Sequence, residues 1–324
     1  MITIIKPGLH TTIQDLGRLK LQKYGVVVSG AMDPFAHRMA NILVGNPQES
    51  ATLETTMHGP TIRFHKEAII SICGGDSSPT INGKSIPLWR PIAIKKGDIL
   101  RLGHIAQGCR SYIGIGGGIS VPLVLNSRST YVRGKLGGFE GRALKTNDQI
   151  PIRPLHSLNI RIQQHLVQTG IAQWKVPIHT VYSNHKIRVV KGRQYPLFTL
   201  NSQQAFFQTP YKITSNSDRM GYRLDGAPLF LVNREELLSE AVTFGTVQVT
   251  SDGKPVILMA DRQTTGGYPK LAEVISVDLP ILAQKKPGDT VYFEEVSLEK
   301  AQQLLREREN FFTSLKRAVD MKCR

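Results

Sequence analysis

Pro91-Ile92-Ala93-Ile94-Lys95-Lys96-Gly97-Asp98-Ile99-Leu100-Arg101-Leu102 is echoed by Pro280-Ile281-Leu282-Ala283-Gln284-Lys285-Lys286-Pro287-Gly288-Asp289-Thr290-Val291-Tyr292-Phe293. In both stretches an apolar run leads through paired lysines and a Gly-Asp turn into a closing strand. A fainter echo relates Asp15-Leu16-Gly17-Arg18 to Asp218-Arg219-Met220-Gly221. Each half therefore has an Asp-containing loop first and a Gly-Asp turn last, as expected of two barrels derived from one ancestor.

Outward from these repeats the chain is mainly β. Ala68-Ile69-Ile70-Ser71-Ile72-Cys73 reads as a buried strand, and the stretch from Thr80 to Ile86 as a hairpin turning at Asn82-Gly83. Thr246-Val247-Gln248-Val249-Thr250 and Pro255-Val256-Ile257-Leu258-Met259 continue the pattern. Two helices interrupt it. One starts at the N-cap Asp33 with Pro34 in the first turn, places Phe35, Met39, Ile42 and Leu43 on one face and ends at Gly45, a length suited to plugging one barrel. The other runs from about 297 to about 318, with Leu298, Ala301, Leu304, Leu305, Phe312 and Leu315 at helical spacing. A shorter helical turn is expected near Asn201–Phe207. The domains are then 1–155 and 186–296, each a β-barrel, joined by a connector at 156–185 carrying a strand or two and followed by a C-terminal helix and tail at 297–324.

With 324 residues, 40% of them hydrophobic, the chain buries one large core or two medium ones. No apolar run approaches the roughly 20 residues that cross a bilayer, and the first residues lack a signal peptide's layout, so a cytoplasmic protein without a membrane partner is expected. Cys73, Cys109 and Cys323 are too far apart for a disulfide framework or a thiolate zinc site. The formal charge of +16 raises the question of nucleic acid. The bases are scattered among acids, however, with no aromatic-plus-basic signature, which points instead to anionic small molecules or an acidic protein partner.

Several signatures fail. Asn82-Gly83-Lys84-Ser85 lacks the leading glycine of a P-loop, because Ser78 stands there, and Gly114-Ile115-Gly116-Gly117-Gly118 opens no helix. No zinc-hydrolase spacing and no nucleophile elbow occurs, and no metal site is expected. What remains is a set of polar loops. Ala260-Asp261-Arg262-Gln263-Thr264-Thr265-Gly266-Gly267-Tyr268-Pro269-Lys270 lies between two strand-like runs; its adjacent glycines allow φ > 0 and uncovered N–H groups, although a hydrogen-bonded turn explains the composition equally well. Val28-Ser29-Gly30-Ala31-Met32-Asp33-Pro34 enters a helix, and Ser29 or Asp33 either contacts ligand or, for Asp33, only caps. Asn126–Tyr131 with Gly134–Arg142 is either a surface loop or part of a cleft. Asp218-Arg219-Met220-Gly221-Tyr222-Arg223 carries two arginines suited to carboxylate or phosphate, or to an exposed salt-bridged turn.

Taken together, Thr11-Thr12-Ile13-Gln14-Asp15-Leu16-Gly17-Arg18, Ser29-Gly30-Ala31-Met32-Asp33-Pro34, Ser127-Arg128-Ser129-Thr130-Tyr131, Gly137-Gly138-Phe139-Glu140-Gly141-Arg142, Asp218–Arg223 and Ala260–Pro269 resemble the allophanate hydrolase subunit 2 family, in its motif order and over nearly the whole chain. The resemblance implies cyclophilin-like β-barrels. It also implies work within an ATP-dependent 5-oxoprolinase of several different chains, converting 5-oxoproline, ATP and water to glutamate, ADP and phosphate. The partners implied are the B subunit, of the allophanate hydrolase subunit 1 family, and the A subunit of 5-oxoprolinase. ATP, with Mg²⁺, is then a co-substrate, and there is no covalently bound biotin, because Met321-Lys322-Cys323 is not a carrier hairpin.

Two alternatives follow from the same resemblance: a chemistry-free antagonist of a kinase-inhibitor protein, and a biotin-dependent carboxyltransferase of the urea–allophanate pathway. Glu240–Gly253 and Gly74-Gly75-Asp76 depart from the family's form, and substrate identity is the property those loops bear on. On this reading Arg262 and the N–H groups of Gly266 and Gly267 meet an amide oxygen turning anionic, with Asp261 orienting Arg262. Arg219 or Arg223 grips the substrate carboxylate, and Tyr222 and Tyr268 line the pocket. Gln263, Thr264, Thr265, Ser29, Ser129 and Tyr131 complete the substrate contacts.

Overall fold

The paired-lysine turns of the two repeats form by the same local chemistry. In a computed structural model of the protein, which describes residues 1–176, 182, 184, 186–233 and 237–323, Asp98 Oδ2 accepts Lys95 N at 2.8 Å and Asp289 Oδ2 accepts Lys286 N at 3.0 Å. Each aspartate N–H returns to the same lysine's carbonyl, and the residue between, Gly97 or Gly288, stands at φ of 93° or 95°. A third copy occurs at Lys145–Asp148, where Asp148 Oδ2 accepts Lys145 N at 2.7 Å. After each of the two Gly-Asp turns comes a closing strand, Ile99–Arg101 or Thr290–Glu295. The apolar runs before the turns differ. Ile92–Ile94 is a strand, whereas the corresponding run lies in a helix, Leu279–Ala283, every residue of which is buried.

Contacts divide the chain into two units, residues 1–18 with 33–178 and 310–324, and residues 19–32 with 179–309. The first unit is built of two sheets. One runs in the order Gln149–Ile150, Ile2–Lys6, Thr61–Phe64, Ile99–Arg101, Thr80–Ile81, Lys84–Ser85. The other runs His10–Gln14, Thr52–Thr56, Gln107–Ile115, Ala68–Asp76, Ile92–Ile94. The Asn82-Gly83 hairpin forms as expected, with both residues at positive φ. Inward residues such as Ile2, Ile4, Ile62, Phe64, Ile70, Ile72, Leu100 and Ile113 make the core between them.

The helix Pro34–Leu43 starts where the sequence places it, with Asp33 Oδ1 accepting Ala36 N at 2.8 Å. It lies on the five-stranded sheet, and Ser71 Oγ donates to Ala40 O at 2.5 Å. Polar residues under it are paired in turn. Tyr112 Oη donates to Glu54 Oε2 at 2.7 Å and accepts Asp33 N at 2.8 Å, and His37 Nδ1 lies 2.9 Å from Thr52 Oγ1.

The second unit contains a closed barrel in the order Lys186–Lys191, Lys270–Val274, Thr246–Val249, Pro255–Leu258, Gly221–Asp225, Tyr211–Ile213, Thr290–Glu295. All its pairs are antiparallel except the closing one, where Lys186–Lys191 runs parallel to Thr290–Glu295. Closure removes the sheet edges, and the core gathers Val189, Tyr211, Val247, Ile257, Leu271, Val291 and a stacked Phe206–Phe293 pair with ring centroids 4.4 Å apart. Phe206 comes from the helix Leu200–Gln208, capped by Thr199.

Three further features differ from the sequence expectation. The connector at 156–185 carries a helix, Ser157–His165, and no named strand among its described residues; 177–181, 183 and 185 lie outside them. The segment 19–32 groups with the second unit, although it precedes most of the first in the chain. The last helix runs on to Lys322 and buries only its later half: Phe312 and Val319 are covered while Leu298 and Leu305 stay exposed. Phe312 packs on Phe35 with centroids 5.3 Å apart, and the Arg38 guanidinium sits 3.7 Å from the Phe312 centroid. All three cysteines are buried and none of them is in a disulfide, and no helix among the described residues is long and apolar enough to cross a membrane.

Burial of the His37 ring lowers it to about 4, the charges of Asp15 and Glu54 pulling the other way. The unfolded chain thus binds this proton first as pH falls, and stability is lost from about pH 6.5 downward. Urea unfolding between pH 7 and pH 4 is expected to show a loss of about 3 kcal/mol from this group. His37→Gln is expected to flatten that part of the profile, and an unchanged slope would refute the assignment.

Candidate functional site

Two loops of the second unit meet through a buried ion pair. Asp261 follows the strand Pro255–Leu258 and Arg219 precedes the strand Gly221–Asp225, and these strands are neighbours in the barrel. Backbone bonds continue the ladder past its end: Met259 N donates to Met220 O at 2.9 Å and Asp261 N to Arg219 O at 2.8 Å. This brings the side chains together. Arg219 Nε donates to Asp261 Oδ2 at 2.9 Å and Nη2 to Oδ1 at 3.0 Å, a two-point pairing of a fork with a carboxylate. Ser29 Oγ donates to the same Oδ1 at 2.7 Å, and Arg219 Nη2 also donates to Gly30 O at 2.6 Å. Ser29 holds a φ of 57° under this clamp, a region a serine seldom adopts. Ser29, Arg219, Asp261 and Arg262 are all at most 9% exposed.

Asp261 therefore orients Arg219 rather than Arg262, which corrects the sequence expectation; its carboxylate is taken up by Arg219 and Ser29. Arg262 is left in a different state. Its Nη1 reaches Met259 O only at 3.5 Å, its Nε is buried without a hydrogen-bond partner, and its guanidinium lies 5.9 Å from the Phe244 ring centroid. Burial lowers its pKa to about 10, against the opposing charges of Glu273 and Asp261.

Other expected residues fall elsewhere. Gly266 and Gly267 do not take positive φ: Thr265–Gly266 pairs as a short ribbon with Glu240–Ala241. A Cβ at 266 would lie 2.6 Å from Gln248 Nε2, which donates to Tyr268 O at 3.2 Å, so a larger residue there would displace the Gln248 amide. Lys270 pins the ribbon, its Nζ donating to Glu240 Oε2 at 2.9 Å. Tyr222 belongs to the barrel core and donates its hydroxyl to Lys285 O at 3.3 Å, so it is not an open pocket wall. Arg223, next along the strand, points to the exposed side, because neighbouring strand residues face opposite ways. Gln263 and Thr264 are half-buried beside Arg262, and Thr265 and Tyr268 are exposed.

Ser129 and Tyr131 belong to the first unit. There Ser129 Oγ donates to Asp15 Oδ1 at 2.5 Å, Ser127 Oγ at 2.7 Å and Gly17 N at 2.8 Å to the same oxygen, and Arg128 N to Oδ2 at 2.5 Å. Burial raises the Asp15 carboxyl, but these donors outweigh it and hold it below its ordinary value. Tyr131 pairs with Leu136 across its own turn.

The sequence does not single out the residue that completes the surroundings of Arg262. Glu273, the one acid in Lys270–Val274, accepts Thr246 Oγ1 at 2.9 Å and Thr243 Oγ1 at 2.8 Å. A lone acid in an otherwise strand-forming run is the available signal.

The chain is thus mainly β, with a closed barrel and a buried ion pair joining the ends of two neighbouring barrel strands. Residues 24–295 match the family described as carboxyltransferase domain, subdomain A and B, and the chain belongs to that family. It is 38% identical over 322 residues to the C subunit of 5-oxoprolinase from Haemophilus influenzae, covering 99% of this chain and 100% of that protein. It is 36% identical over 315 residues to the C subunit of 5-oxoprolinase from Escherichia coli, covering 97% of each. The structure of Kluyveromyces lactis urea carboxylase superposes with a TM-score of 0.85 at 31% identity, over 97% of this chain and 29% of that one.

Removing one partner of a buried pair strands the other charge, whereas removing both does not. Asp261→Ala is expected to destabilise the chain by about 3 kcal/mol in urea unfolding, and the double change Arg219→Met with Asp261→Leu by far less. Equal losses in the single and double variants would show that the pair does not hold the two loops.

Proposed function

We propose that the chain is the C subunit of an ATP-dependent 5-oxoprolinase complex, acting with a B subunit of the allophanate hydrolase subunit 1 family and with an A subunit. Full-length similarity to two proteins named as the C subunit of 5-oxoprolinase supports this reading. The observation that carries it to a site is Arg262, a buried cation with an unfilled Nε–H donor. A buried donor without a partner is costly, and an oxygen gaining negative charge is the group that best completes it. A lactam is a poor electrophile, so opening its ring calls for activation at the amide oxygen, which ATP supplies as co-substrate. Arg262 holds that oxygen as charge grows on it, and the low-dielectric surroundings that lower its pKa also strengthen the contact. Arg219 and Asp261 act at one remove: their pairing fixes the backbone from which Arg262 projects.

The superposition on urea carboxylase favours a second reading, carboxyl transfer to or from an amide-type nitrogen. It makes the same demand on Arg262 but requires activity that responds to biotin or a biotinylated carrier.

With the three proteins assembled, phosphate release from ATP is expected only when 5-oxoproline is present. Arg262→Ala is expected to lower that turnover by about a hundredfold or more while the complex still forms. Near-normal turnover in the variant would remove Arg262 from the site, and a requirement for biotin would decide for the second reading.

A further inference from the structure

Glu273 and Arg262 are held to one turn without being joined to each other. Thr243 and Thr246 both donate to the Glu273 carboxylate, and Phe244 between them lies against the Arg262 guanidinium. The turn is fixed by the Thr246 hydroxyl and by backbone bonds to residues of the two neighbouring strands. Thr243 N donates to Thr246 Oγ1 at 2.9 Å, Gly245 N to Leu258 O at 2.8 Å, and Val274 N to Gly245 O at 2.9 Å. The two charges are near enough to favour each other, yet no nitrogen–oxygen contact within 4.0 Å joins them among the described residues.

The result is a donor, Arg262 Nε–H, and an acceptor, the Glu273 carboxylate, packed against one turn from two other elements, with the Phe244 ring as an apolar surface beside Arg262 and the exposed Thr243 beside Glu273. We propose that Arg262 and Glu273 together bind the edge of a cis amide, Arg262 donating to its carbonyl and Glu273 accepting its N–H. Lactams and ureas present C=O and N–H on the same side, whereas an ordinary trans amide turns them to opposite sides. The ligand class is thus cyclic amides and ureido groups. The pairing deepens the proposed function and rests on that reading only in taking the Arg262 donor as ligand-facing. Glu273 is a binding residue here, and discrimination comes from the further hydrogen bond that its half-buried carboxylate accepts from a ligand N–H and that a ring oxygen cannot give.

The test compares 5-oxoproline with its lactone analogue, in which a ring oxygen replaces the N–H, by titration calorimetry on the full chain and on the assembled complex. The wild type is expected to bind the lactam at least about tenfold more tightly. Glu273→Met is expected to bring the two within about twofold, with lactone binding unchanged. Arg262→Met is expected to weaken both ligands alike, and Thr243→Val, an exposed change that keeps the fold, to erode the preference in part. A wild type without the preference, a folded Glu273→Met variant that keeps it, or no binding of either ligand to chain or complex would each overturn the pairing. Phosphate release separates the two ideas. Lactam-dependent turnover with a preference that survives Glu273→Met rejects the pairing alone, while a Glu273-dependent preference without lactam-dependent turnover rejects the proposed function alone.

Discussion

The Arg219–Asp261 ion pair is the contact on which the site's geometry depends. Asp261 and Arg262 are adjacent, and in water an aspartate beside an arginine has no reason to choose a distant arginine instead. In the folded chain the choice is made by the sheet. The ladder between Gly221–Asp225 and Pro255–Leu258 extends to Asp261 N and Arg219 O, which places the Arg219 fork against both carboxylate oxygens. Buried pairs of this sort add little net stability, since desolvation offsets most of the attraction. Their effect is on arrangement. With Asp261 held by Arg219 and Ser29, Arg262 keeps its charge and loses its natural partner.

What the sequence made legible was local. The Gly-Asp turns and the Asp33-Pro34 helix start are each specified within four residues by a side-chain oxygen and a backbone N–H, the Asn82-Gly83 hairpin by two adjacent residues that accept positive φ, and all three form. The apolar runs beside those turns are ambiguous for a physical reason. Ile92–Ile94 and Leu279–Ala283 are both short and wholly apolar, so neither shows a period, and their tertiary surroundings decide strand for one and helix for the other. Ser157–His165 escapes a reading of the sequence because its polar residues leave only Asn159 and Ile162 buried, too thin an apolar stripe to announce a helix. The assignment of 19–32 to the second unit is a matter of long-range contact, invisible to any window along the chain.

The site was legible in membership more than in wiring. Asp261, Arg262, Arg219 and Ser29 stand out from glycine-bearing polar loops, and the fold gathers all four in one unit. Their connections were not readable, because Asp261 to Ser29 spans 232 residues of sequence. Adjacent glycines suggest a backbone nest, but composition does not distinguish a glycine needed for φ > 0 from one needed for clearance. Gly266 does not stand at positive φ, and what an added Cβ would meet there is the Gln248 amide.

The two halves also show how a duplicated loop can diverge while keeping its backbone. Asp15 accepts Gly17 N and Asp218 accepts Met220 N, each at 2.8 Å, so the same aspartate-led turn opens both echoes. In the first unit Asp15 has been drawn inward and is held by hydroxyl and backbone donors, all of them neutral groups. In the second unit Asp218 is exposed, and the arginine after it reaches across to an aspartate from another loop. A carboxylate satisfied by neutral donors makes a closed structural clasp. One satisfied by a distant arginine leaves Arg262 without the acid beside it in sequence, so the two echoes keep one turn and compensate its negative charges in different ways.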